Sequence, residues 1–271
     1  MQPMRQLDTR ITENSLLARL PLRQLARALH LADRVTLQQG EVLSAVGDEI
    51  RSVYFPENCT IAEMSEGSRS QSLAVGLIGA EGMVGAAVLL GRSHTGLRAQ
   101  VHDSGRALRL KVEDFRALQQ DAPELTAKLM LYIDLMQAQY AQVAACASFH
   151  VLDKRLAWWL LLTHDRVIGD RFDLTHDQLA AMLGVRRSGV STAAGSLRKR
   201  KIIGYSRGRI VIRDRRALEL AACCCYRRMR AASRLIEQSQ TELRGDLPSS
   251  IRLITPQALR RVGARSRGTG A

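Results

Sequence analysis

The stretch LTHDQLAAMLGVRRSGVSTAAGSLRKRKIIGYSRGRIVI, Leu174 to Ile212, begins as an ordinary amphipathic helix and then fills with arginine. Thr175 followed three residues later by Gln178 has the form of a capping box, in which hydroxyl and amide side chains satisfy free N–H groups at a helix start. Leu174 and Leu179 stand where a hydrophobic staple would close it. The helix then runs to Leu183, and Gly184 supplies the left-handed residue that ends a helix without Cβ strain. Six residues on, Val190 opens a second apolar set with Ala194 and Leu197. Ala180, Gly184 and Val190 therefore take the offsets of a helix-turn-helix: a small residue where two helices touch, a glycine in the turn, a branched residue in the second helix's core. With Val190, Ala194 and Leu197 inward, Arg187, Ser188, Ser191, Thr192 and Gly195 lie on or near the outer face. Such a face can enter a major groove. Gly189 sits inside that second helix at a cost of up to ~1 kcal/mol relative to Ala, and the sequence gives no reason for it. Downstream, KIIGYSRGRIVIRD alternates as a hairpin turning at Arg207-Gly208, a β-wing with Arg207 and Arg209 at its tip.

The charge distribution agrees with this reading. The 271 residues carry a net charge of +14. Residues 1–150 hold 15 Lys/Arg against 16 Asp/Glu, and residues 151–271 hold 25 against 10, so the whole excess is C-terminal. One near-neutral half joined to one basic half is the asymmetry expected when only one domain meets a polyanion. A solvated basic surface or a basic membrane-surface helix is the weaker alternative, because the run from Arg186 to Arg216 alternates with turns and strands and is not one amphipathic helix. Arg5, Asp8, Arg10 and Glu13 interrupt any secretory apolar segment, and no run reaches the ~20 apolar residues of a membrane span. The expectation is a cytoplasmic protein with no membrane partner.

Upstream, SLLARLPLRQLARALHLA (residues 15–32) reads as one or two short helices around Pro21. From Val35 the pieces RVTLQQ, EVLSAV, SVYFP, TIAEMSE, SLAVGLI, LRAQVHDSG and RALRLKV follow one another at turn-marked spacing, as in a sandwich, roll or barrel. From Pro123, Leu125, Leu129, Tyr132, Leu135 or Met136, and Tyr140 recur at helical spacing. So apolar a helix is expected to pack on a partner helix, its symmetry mate in the favoured reading, with burial in its own chain as the alternative. LDKRLAWWLLLTHD forms a further helix that GDRFD breaks, and Arg216 to about Leu243 reads as one more.

This order of elements resembles the CRP/FNR family of transcription regulators. GEVLSAVGD and VYFP in a β-rich domain, GAEGMVGAAVLLG, the long helix and the helix-turn-helix stretch carry the resemblance over roughly residues 15–225. It implies an α+β protein: an N-terminal double-stranded β-helix, jelly-roll-like domain, a long dimerisation helix, and a C-terminal winged helix-turn-helix. The corresponding boundaries are 1–122 for the sensor-like β-roll with its short N-terminal helices, 123–149 for the dimerisation helix, 150–244 for the DNA-binding domain with its C-terminal helix, and 245–271 for a basic, flexible tail. The implied partners are double-stranded DNA at a palindromic promoter site and a second copy of the chain, with RNA polymerase a further candidate. Arg187, Ser188 and Ser191 are assigned to bases, and Arg186, Thr192, Lys201, Arg207 and Arg209 to phosphates. Arg187 falls where the family places a guanine-reading arginine, which suits the guanidinium's match to O6 and N7. Ser188 replaces the usual Glu, so the half-site should differ from the family's common one.

The departures concern the pocket. Cyclic-AMP binders of the family hold the ribose and cyclic phosphate with a Gly-Glu pair and a later Arg-Ser. Gly85 matches the glycine, but Ala86 stands at the glutamate and Leu97-Arg98 at Arg-Ser. A buried phosphate needs a paired cation and donors, so this degenerate pocket near Gly85, Ala86 and Arg98 is not expected to take cyclic AMP. No cofactor and no metal are expected. The family's oxygen-sensing branch uses N-terminal cysteines, and the first cysteine here is Cys59. Cys223, Cys224 and Cys225 within one continuous helix would point ~100° apart, which favours packed thiols over a metal site, with a redox-sensitive thiol as the alternative. EGMVG and CCCYRRMR resemble a branch of the family with a similar cysteine–tyrosine segment. A nonspecific nucleic-acid binder with a scaffold β domain is the second functional reading. An enzyme is disfavoured, because His94, His102, His164 and His176 join no nucleophile–base or ligand pattern.

Overall fold

A computed structural model describes residues 12–68 and 71–242; the basic tail at 245–271 lies outside the described residues. Two short helices open the chain, α1 (Ser15–Ala18) and α2 (Leu22–Leu31). Buried Asn14 caps α1 with its side-chain oxygen, while its Nδ2 donates to the carbonyls of Pro56 and Gly82 at 2.9 Å each. One polar side chain thus fastens these helices to the β domain.

The seven anticipated strands form: β1 (Asp33–Leu37), β2 (Val42–Ser44), β3 (Ser52–Pro56), β4 (Thr60–Glu66), β5 (Ser72–Ile78), β6 (Arg98–Asp103) and β7 (Gly105–Lys111). They make two antiparallel sheets, β1-β7-β3 and β2-β6-β4-β5. Phe55 stands opposite Leu108 and Val53 opposite Leu110, while Ile61 pairs Val101 and Ile78. These inward side chains of both sheets are fully buried in one shared core. That core is what strict alternation along half-buried strands produces.

Helix α3 (Val112–Asp121) leads into α4 (Pro123–Phe149), which opens on a proline at a first-turn position where a missing N–H costs nothing. Leu125, Leu129, Tyr132, Met136, Val143 and Cys146 form its buried face. The Tyr132 hydroxyl donates to the Met83 carbonyl at 3.1 Å. Burial in its own chain therefore accounts for one face. On the opposite face Met130, Asp134, Gln137, Ala141, Ala144 and Ser148 are exposed.

The C-terminal part comprises α5 (Leu152–His164), β8 (Arg171–Asp173), α6 (His176–Leu183), α7 (Arg187–Lys199), β9 (Ile203–Ser206), β10 (Arg209–Ile212), α8 (Arg215–Ala221) and α9 (Cys224–Glu242). Every residue of α5 from Leu156 to Thr163 is buried. The segment GDRFD does break α5, but it also supplies β8, which pairs with β10 and makes the wing a three-stranded sheet, β8-β10-β9. The helix expected from Arg216 to about Leu243 is two helices. Ala222 is extended (φ −71°, ψ 161°), and α9 starts only at Cys224. Alanine favours helix and cysteine disfavours it only mildly, so the break is not a local preference; it lets Cys223, Cys225 and Tyr226 all reach buried positions. No helix among the described residues is long and apolar enough to cross a membrane.

His102 on β6 is buried, and burial pushes its pKa down to about 4. The folded state therefore holds it neutral, whereas the unfolded chain protonates it near pH ~6.5. Stability should fall as the pH drops from about 6.5 towards 4, by on the order of 3 kcal/mol from this group. Urea melts across that range should show a shallower decline for His102→Leu; an unchanged slope would rule out His102 as the source.

Candidate nucleic-acid interface

Thr175 caps α6: its Oγ1 accepts from the Gln178 N–H at 3.2 Å, and Gln178 Oε1 accepts from the Thr175 N–H at 2.8 Å. Leu174 and Leu179 are both buried beside it. Gly184 ends α6 in the left-handed region (φ 64°, ψ 39°). Arg155 of α5 donates to the last-turn carbonyl of Leu183 at 2.5 Å. The turn is thus held from both sides, and α7 leaves it with Val190, Ala193, Ala194 and Leu197 buried.

Arg187, Ser188, Ser191 and Thr192 consequently share the exposed side of α7, with exposed Arg186 at its N-cap. Gly195 is only half-exposed. Gly189 gains a reason: a Cβ there would stand 3.0 Å from Leu152 Cδ2 at the start of α5. Its absence lets α7 lie close against α5, a close approach that no local feature of the sequence announces.

Several contacts fix this surface. Ser191 Oγ donates to the Arg187 carbonyl at 3.1 Å and lies 2.9 Å from His176 Nδ1. The His176 ring stacks on Tyr205 of β9, centroids 4.2 Å apart and 14° from parallel. Partial burial, and next the nearby Arg187 charge, lower the His176 pKa, so the stack holds a neutral imidazole. Helices α7 and α6 and the wing therefore meet at one point, built from residues too far apart in sequence to form a motif.

The assigned cations fall into two groups. Arg187 pairs with Asp177 at 3.2 Å and Arg209 with Asp173 at 3.0 Å, both pairs well exposed. Such pairs contribute at most ~1 kcal/mol, so either arginine can exchange its carboxylate for a phosphate or base edge at little cost. Among the described residues Arg186, Lys201 and Arg207 make no ion pair. Lys201 and Arg207 both have positive φ, 58° and 49°. Arg207 and Gly208 (φ 81°) form the two-residue turn of the wing, whose twist matches the flanking strands. Lys201 follows the end of α7 in the position that glycine usually takes.

The β-roll holds a cavity of about 630 Å³ lined in part by Gly85, Ala86, Glu63, Tyr132 and Tyr140. Arg98 does not join them. Alternation along β6 turns the neighbouring Ala99 into the cavity and sends Arg98 to the other face, where it pairs with Glu66 at 3.5 Å. The cations that do line the space are Arg51 and Arg92, both exposed, and Asp48 and Glu49 accompany them. Inside, Glu63 accepts a hydrogen bond from Tyr140, and burial raises its carboxyl pKa.

Residues 154–221 match the Crp-like helix-turn-helix domain family. No curated protein sequence matches the chain. Among solved structures, FixK2 from Bradyrhizobium japonicum is 15% identical with a TM-score of 0.61, over 71% of this chain and 98% of that one. The c-di-GMP responsive global regulator CLP of Xanthomonas campestris is 15% identical with a TM-score of 0.58, over 71% and 99%. A CRP-family transcriptional regulator from Thermus thermophilus is 20% identical with a TM-score of 0.58, over 70% and 96%. Residues 154–221 thus form a Crp-like helix-turn-helix domain within a chain that has the fold of CRP/FNR regulators. The helix-turn-helix domain makes residues 154–221 a DNA-binding module.

Replacing Asp177 with Asn removes the carboxylate that engages Arg187. Affinity for duplex DNA, measured by fluorescence anisotropy, should rise roughly 1.4- to fivefold at low salt, the equivalent of a surface ion pair's ~0.2–1 kcal/mol, and the gain should fade with added salt. Unchanged binding at low salt would argue that Arg187 does not face DNA.

Proposed function

We propose that this protein is a homodimeric, sequence-specific transcription regulator of the cytoplasm that binds a palindromic promoter site and does not respond to cyclic AMP. The observation that carries the proposal is the exposed row of Arg187, Ser188, Ser191 and Thr192 on α7, flanked by the wing arginines Arg207 and Arg209. Arg187, Ser188 and Ser191 read base edges, while Arg186, Thr192, Lys201, Arg207 and Arg209 contact phosphates. On this reading residues 1–122 form the sensor-like part, 123–149 the dimerisation helix and 150–244 the DNA-binding part. A regulator bound beside a promoter would also be placed to meet RNA polymerase.

Dimerisation is supported by the outer face of α4. From Leu135 to Leu152 the chain carries no charged residue, and Ala141, Ala144 and Ser148 stand exposed at three-to-four spacing. Small side chains on an uncharged helix face let a second helix approach closely. The absence of a cyclic-AMP response is supported by the chemistry of the cavity. A cyclic phosphate entering it would meet the Glu63 carboxyl and no buried arginine, and Ala86 offers no acceptor to the ribose.

Selection of bound sites from random duplex DNA should return a palindrome whose half-sites are centred about 34 Å apart, one helical turn. Enrichment of no sequence would favour nonspecific binding instead. On the selected site, Arg187→Ala should relax the preference at one base pair by ~1–3 kcal/mol, whereas Arg209→Ala should weaken selected and random DNA alike. Identical behaviour of the two variants would refute this division of roles. Calorimetry with cyclic AMP should give no binding at micromolar concentration; a micromolar or tighter Kd would overturn that part of the proposal.

A further inference from the structure

The break between α8 and α9 has a chemical consequence away from the DNA-facing surface. Cys146 and His150 stand four residues apart at the end of α4, so they project from one face. Cys223 occupies the position just before α9, and Cys225 is the second residue of that helix. Because Cys223 is not helical, the ~100° divergence of successive helical side chains does not separate it from Cys225. The two thiols converge on the end of α4.

Cys146 Sγ lies 3.5 Å from Cys223 Sγ, and Cys225 Sγ lies 3.4 Å from His150 Nδ1. All four ligand atoms fall within 4.8 Å of one another. The three cysteines are buried and His150 is half-buried. We propose that Cys146, His150, Cys223 and Cys225 form a binding site for a single four-coordinate divalent cation of the zinc class, clipping the end of α4 to the start of α9.

The dimensions fit that assignment. A tetrahedral ion with Zn–S bonds of about 2.3 Å spaces its thiolates by about 3.8 Å, so the Cys146–Cys223 and Cys225–His150 separations need adjustments of a few tenths of an ångström, and the widest separation, within 4.8 Å, needs to close by no more than about 1 Å. A polynuclear iron–sulfur cluster would place its own iron and sulfide atoms between the thiolates and force them further apart. Three thiolates and an imidazole select a zinc-like ion over magnesium or calcium, which prefer oxygen ligands. A complete set of four leaves no open position for water, so the site is structural and not hydrolytic.

The surroundings fit too. Gln142 Nε2 donates to Cys225 Sγ at 3.0 Å, an outer partner of the kind that orients metal-binding thiolates. The Cys225 backbone N–H, in the first turn of the 19-residue α9, hydrogen-bonds to Cys223, which favours a thiolate there. On binding, each of the three thiols releases its proton to solvent. Three thiolates, one neutral imidazole and a divalent ion leave one net negative charge, which the N-terminal end of the α9 dipole offsets in part. The clip spans the junction at His150–Val151 between the long helix and α5, so occupancy would fix how the DNA-binding elements are held against α4. Nothing in the DNA-binding assignment is needed for this proposal.

The test uses the full chain, purified under reducing conditions and titrated with cobalt(II) and zinc(II). One cobalt per chain with the intense absorption of a tetrahedral thiolate complex, displaced by zinc, supports the proposal; its absence from reduced, folded protein overturns it. Cys223→Ser and Cys146→Ser should abolish the spectrum, and His150→Ala should weaken cobalt binding by at least about tenfold. Cys224→Ser should leave it intact, as should Cys59→Ser, whose thiol burial pushes up to about 12. Because the wild-type spectrum is itself decisive, a serine variant that fails to fold does not remove the test. Zinc should also raise the Tm of the wild type but not of His150→Ala. A Cys146–Cys223 disulfide, found by mass spectrometry of non-reduced digests in place of bound metal, would likewise overturn the proposal.

Discussion

The DNA-binding elements depend on one constraint, the burial of α5. A helix with apolar residues all round its circumference must be covered on every side, and α5 buries Leu156, Ala157, both tryptophans, Leu160, Leu161 and Leu162. Helices α6, α7 and α8 and the wing strands share its core. Their positions are therefore set by what they cover. The close approach at Gly189 follows directly, since a Cβ there would stand 3.0 Å from Leu152 Cδ2 and the leucine would have to give by a few tenths of an ångström. The glycine lowers intrinsic helix stability, and the packing it permits places Arg187 and Ser191 on the open side. Arg215 locks the rear of the same core, bonding His164 Nδ1 and the Tyr226 hydroxyl at 2.6 Å each and pairing with Asp165.

Charge is handled in the opposite way. The cations facing outward sit in exposed pairs with Asp177 and Asp173 or make none among the described residues. Two of the contacts that order this surface, the Thr175 capping box and the His176–Tyr205 stack, use neutral groups. Strongly paired arginines would have to give up those partners before touching a phosphate. Weakly paired ones on a rigid frame do not, so positioning and binding fall to separate sets of side chains. The β-roll cavity differs again: its inner wall carries a carboxyl held by tyrosine, and its arginines stay at the solvent-exposed rim.

Where the sequence was readable, the information was local. A capping box, a glycine at the C-terminal end of α6 and a two-residue Arg-Gly turn are each complete within four residues, and backbone sterics and free N–H groups give them one meaning. The seven β-roll strands were legible for a similar reason, since alternation and turn residues repeat along each piece. Arg98 marks the limit of that kind of reading. Alignment by motif put it beside Gly85, but one position along a strand reverses the face, and it points to Glu66.

The sequence by itself determined the helix-turn-helix, the wing and the outward row on α7, because periodicity, caps and turn chemistry specify them residue by residue. Only the tertiary structure decided the third wing strand, the role of Gly189 and the break at Ala222–Cys223. Each of these depends on a partner far along the chain: β10 for β8, Leu152 for Gly189, the end of α4 for Cys223 and Cys225. Local preference at Ala-Ala-Cys-Cys-Cys leans towards helix through its alanines, so burial against distant residues decides the break. The same contacts gather three thiols and an imidazole that lie up to 79 positions apart in the sequence.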